Sequence, residues 1–168
     1  MKKKYDQEIS SWLLSEGFRV EKLEPLPRLK VAWGLNVYTP PPLVVNIKIF
    51  QPAGHEDRIV LLLGVNISPD HQRELNKLDD SERYRFMSKM LLDIIHLCPD
   101  CKFAIQPNMM SPKTIIVSKT LYYEELSRPK LVNEIVRLVN VFMAINANLW
   151  IKFPHPLRKP QTTTTYTI

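Results

Sequence analysis

RIVLLLGVNIS, residues 58–68, is the most hydrophobic stretch of the chain and decides its fold. It is apolar on both faces of a strand until Gly64 and Asn66, which is typical of a central strand covered on both sides for part of its length. LVVNIKIF at 43–50 precedes it and alternates with a period of two, as a strand does. A short turn at 51–57 joins the two stretches. Because parallel strands need a long crossover, this spacing predicts an antiparallel pair.

Towards the N-terminus the same pattern continues. VAWGLNVY at 31–38 and the segment from Phe18 to Leu23 are predicted strands, so four strands form an antiparallel meander. TPPP at 39–42 predicts a stiff, extended polyproline connector. Before the strands, YDQEISSWLLS predicts a short amphipathic helix that ends at Gly17 with a left-handed cap.

Towards the C-terminus the period becomes helical. Ser68-Pro69-Asp70 is a good helix start, and a break near Asp79-Asp80 separates that helix from a longer one that begins about Ser81. Pro99 ends the longer helix. Two further strands follow, and Ser127-Arg128-Pro129 begins the last helix. That helix is apolar over more than half of its circumference, so we expect it to be covered on two sides, one of them by a partner or another helix.

The sequence therefore predicts an α+β fold, with an antiparallel sheet of about five or six strands flanked by helices in the order α-β-β-β-(β)-α-β-β-α. We expect one domain over residues 1–153 and a Pro/Thr-rich C-terminal tail over 154–168.

Charge and hydropathy bear on location and partners. No apolar run approaches the roughly 20 residues of a membrane span, and no signal peptide is recognisable, so we expect a cytoplasmic protein without a membrane partner. The net charge is +6. Outside six basic residues near the ends, 17 basic and 17 acidic side chains balance. Those six residues, which could attract nucleic acid or acidic partners, are Lys2, Lys3, Lys4, Lys152, Arg158 and Lys159.

The order of elements resembles the fold of type III secretion chaperones and the related YbjN-like proteins, and the chain looks like an archaeal family of uncharacterised proteins of this length. The resemblance spans 18–146 and rests on FRVEKLEP, VVNIKIFQP, ISPDHQRELNKL and YYEELSRPKLVNEI. It implies a sheet covered by helices and a molecule that commonly dimerises. It carries no catalytic residues, and fold alone does not give function.

HLCPDC, residues 96–101, holds both cysteines of the chain. In redox sites of this spacing the pair opens a helix, whose dipole lowers a thiol pKa. Here Cys98 and Cys101 follow a helix, and Asp100 adds negative charge, so the position disfavours a reactive thiolate. We interpret the stretch mainly as a structural turn. A metal site, a redox-sensitive pair and a four-cysteine site across a dimer are the alternatives.

No catalytic signature is apparent elsewhere. The sequence contains no HExxH motif and no phosphate-binding glycine loop, and its four histidines are dispersed. We predict no enzymatic activity, no cofactor and no metal site other than the weak candidates Cys98 and Cys101.

Several residues are candidates for a binding surface. Aromatic residues with nearby lysines, such as Tyr122, Tyr123, Lys30, Lys48 and Lys119, could bind single-stranded nucleic acid, and adjacent loop methionines suit adaptable contacts. The residues we select are Trp33, Tyr38, Met109, Met110, Val139, Phe142 and Met143.

These features predict a non-enzymatic protein- or peptide-binding module, chaperone-like in its order of elements and dimeric, that uses the last helix or a sheet edge. The alternatives are a nucleic-acid-associated protein that uses its basic termini, and a thiol or zinc protein centred on Cys98 and Cys101.

Overall fold

The protein is described by a computed structural model, which covers residues 5–154. The helices are α1 (Tyr5–Ser15), α2 (Pro69–Lys77), α3 (Asp80–Leu97) and α4 (Arg128–Lys152), with a short 3₁₀ helix at Tyr123–Glu125. The strands are β1 (Arg19–Lys22), β2 (Val31–Tyr38), β3 (Asn46–Pro52), β4 (Arg58–Asn66), β5 (Lys102–Gln106) and β6 (Thr114–Tyr122). The predicted α+β class and order of elements are confirmed.

The six strands form one sheet in the order β1-β2-β3-β4-β6-β5. The pairs β1–β2, β2–β3 and β3–β4 are antiparallel hairpin neighbours, as predicted. Two backbone hydrogen bonds fix the direction of β6 against β4. The Ile67 amide donates to the Lys113 carbonyl at 2.8 Å, and the Tyr123 amide donates to the Asp57 carbonyl at 2.9 Å. Because the residue number rises on one strand as it falls on the other, this pair is antiparallel too.

The two faces of the sheet differ in burial. On β3, Ile47 and Ile49 lie opposite Val37 and Leu35 of β2, on the face that carries the fully buried side chains. On β4, alternate residues from Ile59 to Val65 are buried, and the residues between them are half-buried apart from Gly64, which is buried. On β3, Lys48 and Phe50 on the opposite face are buried as well. The middle of the sheet is therefore covered on both faces, as expected of central strands.

The connection between β2 and β3 differs from the prediction. Residues 41–42 lie in a turn, so the predicted extended polyproline connector is wrong. Thr39 closes the loop, because its hydroxyl donates to the Leu43 carbonyl at 2.7 Å and accepts from the Val45 amide at 2.8 Å. A hairpin between paired strands requires the chain to reverse, and this requirement overrides the local preference of proline for an extended conformation.

The helix ends agree with the sequence signals. Gly17, which follows α1, has a φ of +85°, as a left-handed cap requires. The Ser68 hydroxyl accepts from the His71 amide at the start of α2. The Asp79 carboxylate accepts from the Glu82 amide at 2.8 Å at the start of α3. The predicted break near Asp79-Asp80 is therefore confirmed.

The chain divides into two compact units, and β4, β6 and α4 contribute residues to both. The described part of the first unit comprises 5–63 and 118–136, and its core includes Ile9, Leu13, Val37, Ile47, Ile49, Ile59, Leu61 and Leu131. That of the second comprises 64–117 and 137–154, with Val65, Ile67, Leu75, Met87, Met90, Ile94, Ile145 and Leu149 in its core. Lys2, Lys3 and Lys4 lie outside the described residues, as does the predicted C-terminal tail apart from Pro154.

Candidate protein-binding surface

The last helix exposes four apolar side chains and one asparagine along one line. Val136, Asn140, Met143, Ala147 and Trp150 are all exposed. Their spacing alternates between four and three residues, which keeps them on one face of the helix and is the repeat that a second helix packs against. We call these five residues the α4 stripe.

Four of the five residues of the α4 stripe lie in an uncharged part of the helix. From 138 to 151 the sequence is LVNVFMAINANLWI, which contains no ionisable side chain. Met143 is 52% exposed and Trp150 is 45% exposed. A surface helix normally carries charged residues on its outward face, and an exposed apolar patch marks an interaction site.

The structure separates the three candidates predicted on this helix. Met143 belongs to the α4 stripe, Val139 is half-buried, and Phe142 is only 7% exposed. Phe142 thus contributes to the core of the second unit, whereas Met143 is available to a partner. The prediction missed the other four residues of the α4 stripe, which are Val136, Asn140, Ala147 and Trp150.

Trp150 is held in place from one side. Its ring contacts the His71 imidazole edge to face, with 5.1 Å between ring centroids. His71 is itself buried at the start of α2. An exposed aromatic ring whose orientation is fixed by packing loses little conformational entropy when it binds, and this is typical of an interface anchor.

The neighbouring helix α3 adds further exposed apolar side chains. Leu92 and Ile95 are exposed. Beside Leu92, the Asp93 carboxylate accepts hydrogen bonds from the Asn148 amide at 2.9 Å and from the Lys89 ammonium at 3.0 Å. Both bonds lower the pKa of Asp93, and the bond from Asn148 ties α4 to α3. The second unit therefore has apolar exposed residues on two adjoining helices.

Trp33 and Tyr123 are joined through one amide. The Trp33 indole donates to the Gln51 side-chain oxygen at 3.0 Å, and the Tyr123 hydroxyl donates to the same oxygen at 2.6 Å. The Tyr5 ring stacks on the Tyr123 ring with 3.7 Å between centroids. Burial raises the pKa of Tyr123 to about 12. This cluster connects the start of α1 to β2, β3 and the 3₁₀ helix, so Trp33 has a structural role.

The predicted aromatic and basic residues do not share one surface. The strand register pairs Trp33 with Gln51 and Tyr38 with Asn46. Gln51 and Asn46 lie on different faces of β3, so Trp33 and Tyr38 lie on different faces of the sheet. Tyr38 lies under the Arg19 guanidinium at 4.0 Å, and Tyr122 lies under that of Arg58 at 4.8 Å. The structure therefore divides the aromatic set between the two faces.

Two of the three lysines in that set are buried. Lys119 lies in the interior of the first unit, with its ammonium 4.0 Å from the carboxylate of Glu134 on α4. Burial also lowers the pKa of Lys48. Neither side chain is placed to meet a polyanion at the surface.

Met109 and Met110 lie in an ordered loop between β5 and β6. The Asn108 side-chain oxygen accepts from the amides of Met110 and Ser111, each at 3.0 Å. The Arg83 guanidinium donates to the Met110 carbonyl at 2.9 Å. Both methionines are half-buried, so part of each side chain is accessible to a partner. Their role in binding stays a prediction.

Cys98 and Cys101 form a disulfide at the end of α3. Cys98 caps the helix, with its amide donating to the Ile94 carbonyl, and β5 begins directly after Cys101. The stretch is therefore a turn that joins a helix to an edge strand, as the structural interpretation predicts.

Length and composition give α4 one further property. Among the described residues it is the one helix long and apolar enough to cross a membrane, and 44% of its most apolar window is buried within the protein. The core helix of a soluble protein meets the same criterion, so this is weak evidence for a membrane span.

Comparison with known proteins identifies a family but no activity. The family described as "Uncharacterized conserved protein (DUF2299)" matches residues 5–149. The crystal structure of an uncharacterized protein from Methanothermobacter thermautotrophicus is similar, with a TM-score of 0.70 and 25% sequence identity over 87% of this chain and 94% of that one. No curated protein matches.

Proposed function

The chain belongs to the DUF2299 family of uncharacterised conserved proteins, and from this premise we propose that it is a non-enzymatic protein-binding module that forms a homodimer through the α4 stripe. The observation that carries the proposal is the exposed, uncharged face of α4 between residues 136 and 151. Within the proposal the protein is cytoplasmic and chaperone-like, in the sense that it binds another polypeptide.

A second copy of the chain fits the α4 stripe because the stripe is self-complementary. If two α4 helices cross antiparallel about a two-fold axis at Met143, Val136 of each copy meets Trp150 of the other. Asn140 then lies close to the small Ala147. Large side chains thus face smaller ones and no charge is buried, which satisfies the requirements of an isologous interface.

The proposal includes no catalytic role, because the buried polar groups of the first unit interact with one another. The buried Lys119 ammonium lies 4.0 Å from the buried carboxylate of Glu134 on α4, so the two opposite charges face each other. The Gln51 oxygen accepts from both Trp33 and Tyr123. These groups bind one another within the core of the first unit, so each has a sufficient structural role.

The sheet edges support the binding of a further polypeptide. β1 and β5 are the outermost strands of the sheet, with a neighbouring strand on one side only. Every residue of β5 except Ile105 is exposed. An extended peptide can add to such an edge through backbone hydrogen bonds, while the α4 stripes hold the dimer together.

The mass of the particle in solution tests the dimer. Sedimentation equilibrium of the wild-type protein should give twice the 19.6 kDa monomer mass. Met143→Lys should give the monomer mass, because it places two ammonium groups against each other at the two-fold axis. Leu14→Lys is the matched control, since it also charges an exposed apolar helix position, on α1, and should remain dimeric.

A cysteine cross-link then tests the geometry. Met143→Cys should form an intermolecular disulfide on mild oxidation, because the two-fold axis brings residue 143 next to its own copy. Leu14→Cys should not. A wild-type protein that stays monomeric at high concentration, or a Met143→Lys variant that stays dimeric, would rule out the α4 interface.

A further inference from the structure

The turn after α3 brings three metal-ligating side chains together. The Cys98 and Cys101 sulfur atoms and an Asp100 carboxylate oxygen all lie within 4.8 Å of one another. The Cys98 sulfur is 3.6 Å from the nearer Asp100 oxygen. Two sulfur ligands and one carboxylate form a donor set that suits Zn²⁺, a cation of intermediate softness.

Backbone hydrogen bonds fix this turn. The Cys98 amide donates to the Ile94 carbonyl at 2.9 Å, and the Cys101 amide donates to the Cys98 carbonyl at 3.1 Å. The three side chains are therefore held on one tight turn. A turn that is already ordered loses little entropy when its side chains bind an ion.

The electrostatics of the turn favour a cation. The carbonyl groups at the C-terminal end of a helix carry a partial negative charge, which disfavours a free thiolate but stabilises a bound cation. Asp100 adds a formal negative charge. The Arg137 guanidinium lies 3.5 Å from Asp100, and such an outer partner orients a ligating carboxylate.

We propose that this turn is a redox-gated zinc site. With the Cys98–Cys101 disulfide formed, the sulfur atoms cannot act as thiolate ligands. After reduction, Cys98, Asp100 and Cys101 bind one Zn²⁺ and leave a fourth position for water. The ion is thus bound only in the reduced protein.

The reduction step balances with a dithiol as the reductant. Its thiolate attacks the more exposed Cys101 sulfur, the S–S bond breaks, and Cys98 leaves as a thiolate that takes up a proton. The second thiol of the reductant then displaces Cys101. Two electrons pass to the protein, the reductant becomes a disulfide, and the two protein thiols later release their protons when Zn²⁺ binds.

Metal content of the full-length protein tests the proposal. One sample is treated with a phosphine, which takes up oxygen from water as it reduces the disulfide, and the other is kept oxidised. Both are incubated with zinc sulfate, desalted and analysed for zinc and mass. The proposal predicts one zinc per chain in the reduced sample and none in the oxidised sample.

Variants distinguish the ligands. Cys101→Ser should abolish stoichiometric zinc binding, and Asp100→Asn should raise the Kd for Zn²⁺ by at least about tenfold. His96→Gln is the control, because His96 lies on the same last turn of α3 but outside the three-residue cluster, and should leave the Kd unchanged. Unfolding in urea confirms that each variant is folded.

Three results would overturn the assignment. They are a reduced protein that retains no zinc, an Asp100→Asn variant with an unchanged Kd, and a ratio of one zinc per two chains. The last ratio would indicate a four-cysteine site shared by two copies. Since zinc content is measured independently of particle mass, failure here leaves the α4 dimer untouched.

Discussion

Arg83 on α3 donates to four backbone carbonyl groups of the second unit. Its guanidinium lies 2.9 Å from the Leu75 carbonyl, 2.8 Å from that of Leu78 and 3.3 Å from that of Asn76. These carbonyls belong to the end of α2 and to Leu78 just after it, a position where most helical carbonyls lack an intrahelical partner, although the Leu75 carbonyl also accepts from the Leu78 amide at 3.2 Å. The fourth bond, to Met110, connects the same side chain to the β5–β6 loop.

Replacing Arg83 with lysine should therefore destabilise the protein. An ammonium group cannot reproduce the fork of donors, so carbonyls at the end of α2 lose their partners. We expect the free energy of unfolding to fall by about 2–4 kcal/mol, measured by urea denaturation. Arg85→Lys, at an exposed position on the same helix, is the control and should change it by less than about 0.5 kcal/mol. Equal effects of the two substitutions would contradict this role.

Tyr123 should make stability depend on alkaline pH. Burial raises its pKa to about 12, from the 10.0 of an unperturbed tyrosine. Below pH 10 the hydroxyl is protonated in both states, so its contribution to stability is complete. Between pH 10 and 12 the unfolded chain loses the proton while the folded protein keeps it, and the contribution is lost. Tyr123→Phe should be less stable at pH 7, by about 1 kcal/mol for the hydrogen bond to Gln51.

The difference in the free energy of unfolding between the wild-type protein and Tyr123→Phe isolates the effect of Tyr123 from that of other groups that titrate at high pH. Urea denaturation at intervals from pH 7 to pH 12 should show the difference shrinking above pH 10. Tyr84→Phe is the control, because Tyr84 is 56% exposed and should show no such change. A constant difference across this range would show that Tyr123 does not titrate as the structure implies.

At the scale of the elements, Asp79 determines where α3 begins. Its carboxylate accepts from the Glu82 amide, which satisfies one of the donors that the first turn leaves free. Asp79→Ala should lower the free energy of unfolding by about 1 kcal/mol. Asp80→Ala is the matched control. The Asp80 side chain is 87% exposed, and its ion pair with Arg83 is long, at 3.9 Å, so it should contribute little to stability. A loss as large at Asp80 as at Asp79 would show that charge, rather than capping, stabilises this end of the helix.

Elements whose signals are local could be predicted from the sequence. The alternation in β3, the Ser68 cap and Gly17 after α1 each depend on neighbouring residues, so the sequence contains the information that fixes them. The turn at Pro41 and Pro42 could not be predicted in this way, because the pairing of β2 with β3 determines it. A local propensity for extended backbone does not report that long-range constraint.

The candidate site likewise has a part that the sequence predicted and a part that it did not. The composition of α4 predicted that one face would need a partner, but periodicity alone did not tell Phe142, which is buried, from Met143, which is exposed. That distinction depends on which face of α4 packs into the core, and the sequence does not indicate this face when most of the helix is apolar. Arg83 had no signal at all, since nothing in the sequence separates it from the exposed Arg85.

At the scale of the whole molecule, most of the net positive charge and the α4 stripe lie in different parts of the chain. Of the net charge of +6, five units lie outside the described residues, which leaves +1 for residues 5–154. The α4 stripe lies entirely within the described part and, apart from Val136, in a segment without ionisable side chains. Dimer formation and attraction to polyanions should therefore be separable properties.

A full-length variant with five glutamine substitutions tests this separation. It should sediment as the same dimer as the wild-type protein, because the α4 stripe is unchanged. Its retention on immobilised heparin at low salt should fall, and the salt dependence of any binding to single-stranded DNA should become shallower, since fewer counterions are released. Loss of the dimer would show that the termini, rather than the α4 stripe, hold the two copies together, and unchanged heparin retention would place the polyanion contacts within residues 5–154. The substituted positions are Lys2, Lys3, Lys4, Arg158 and Lys159.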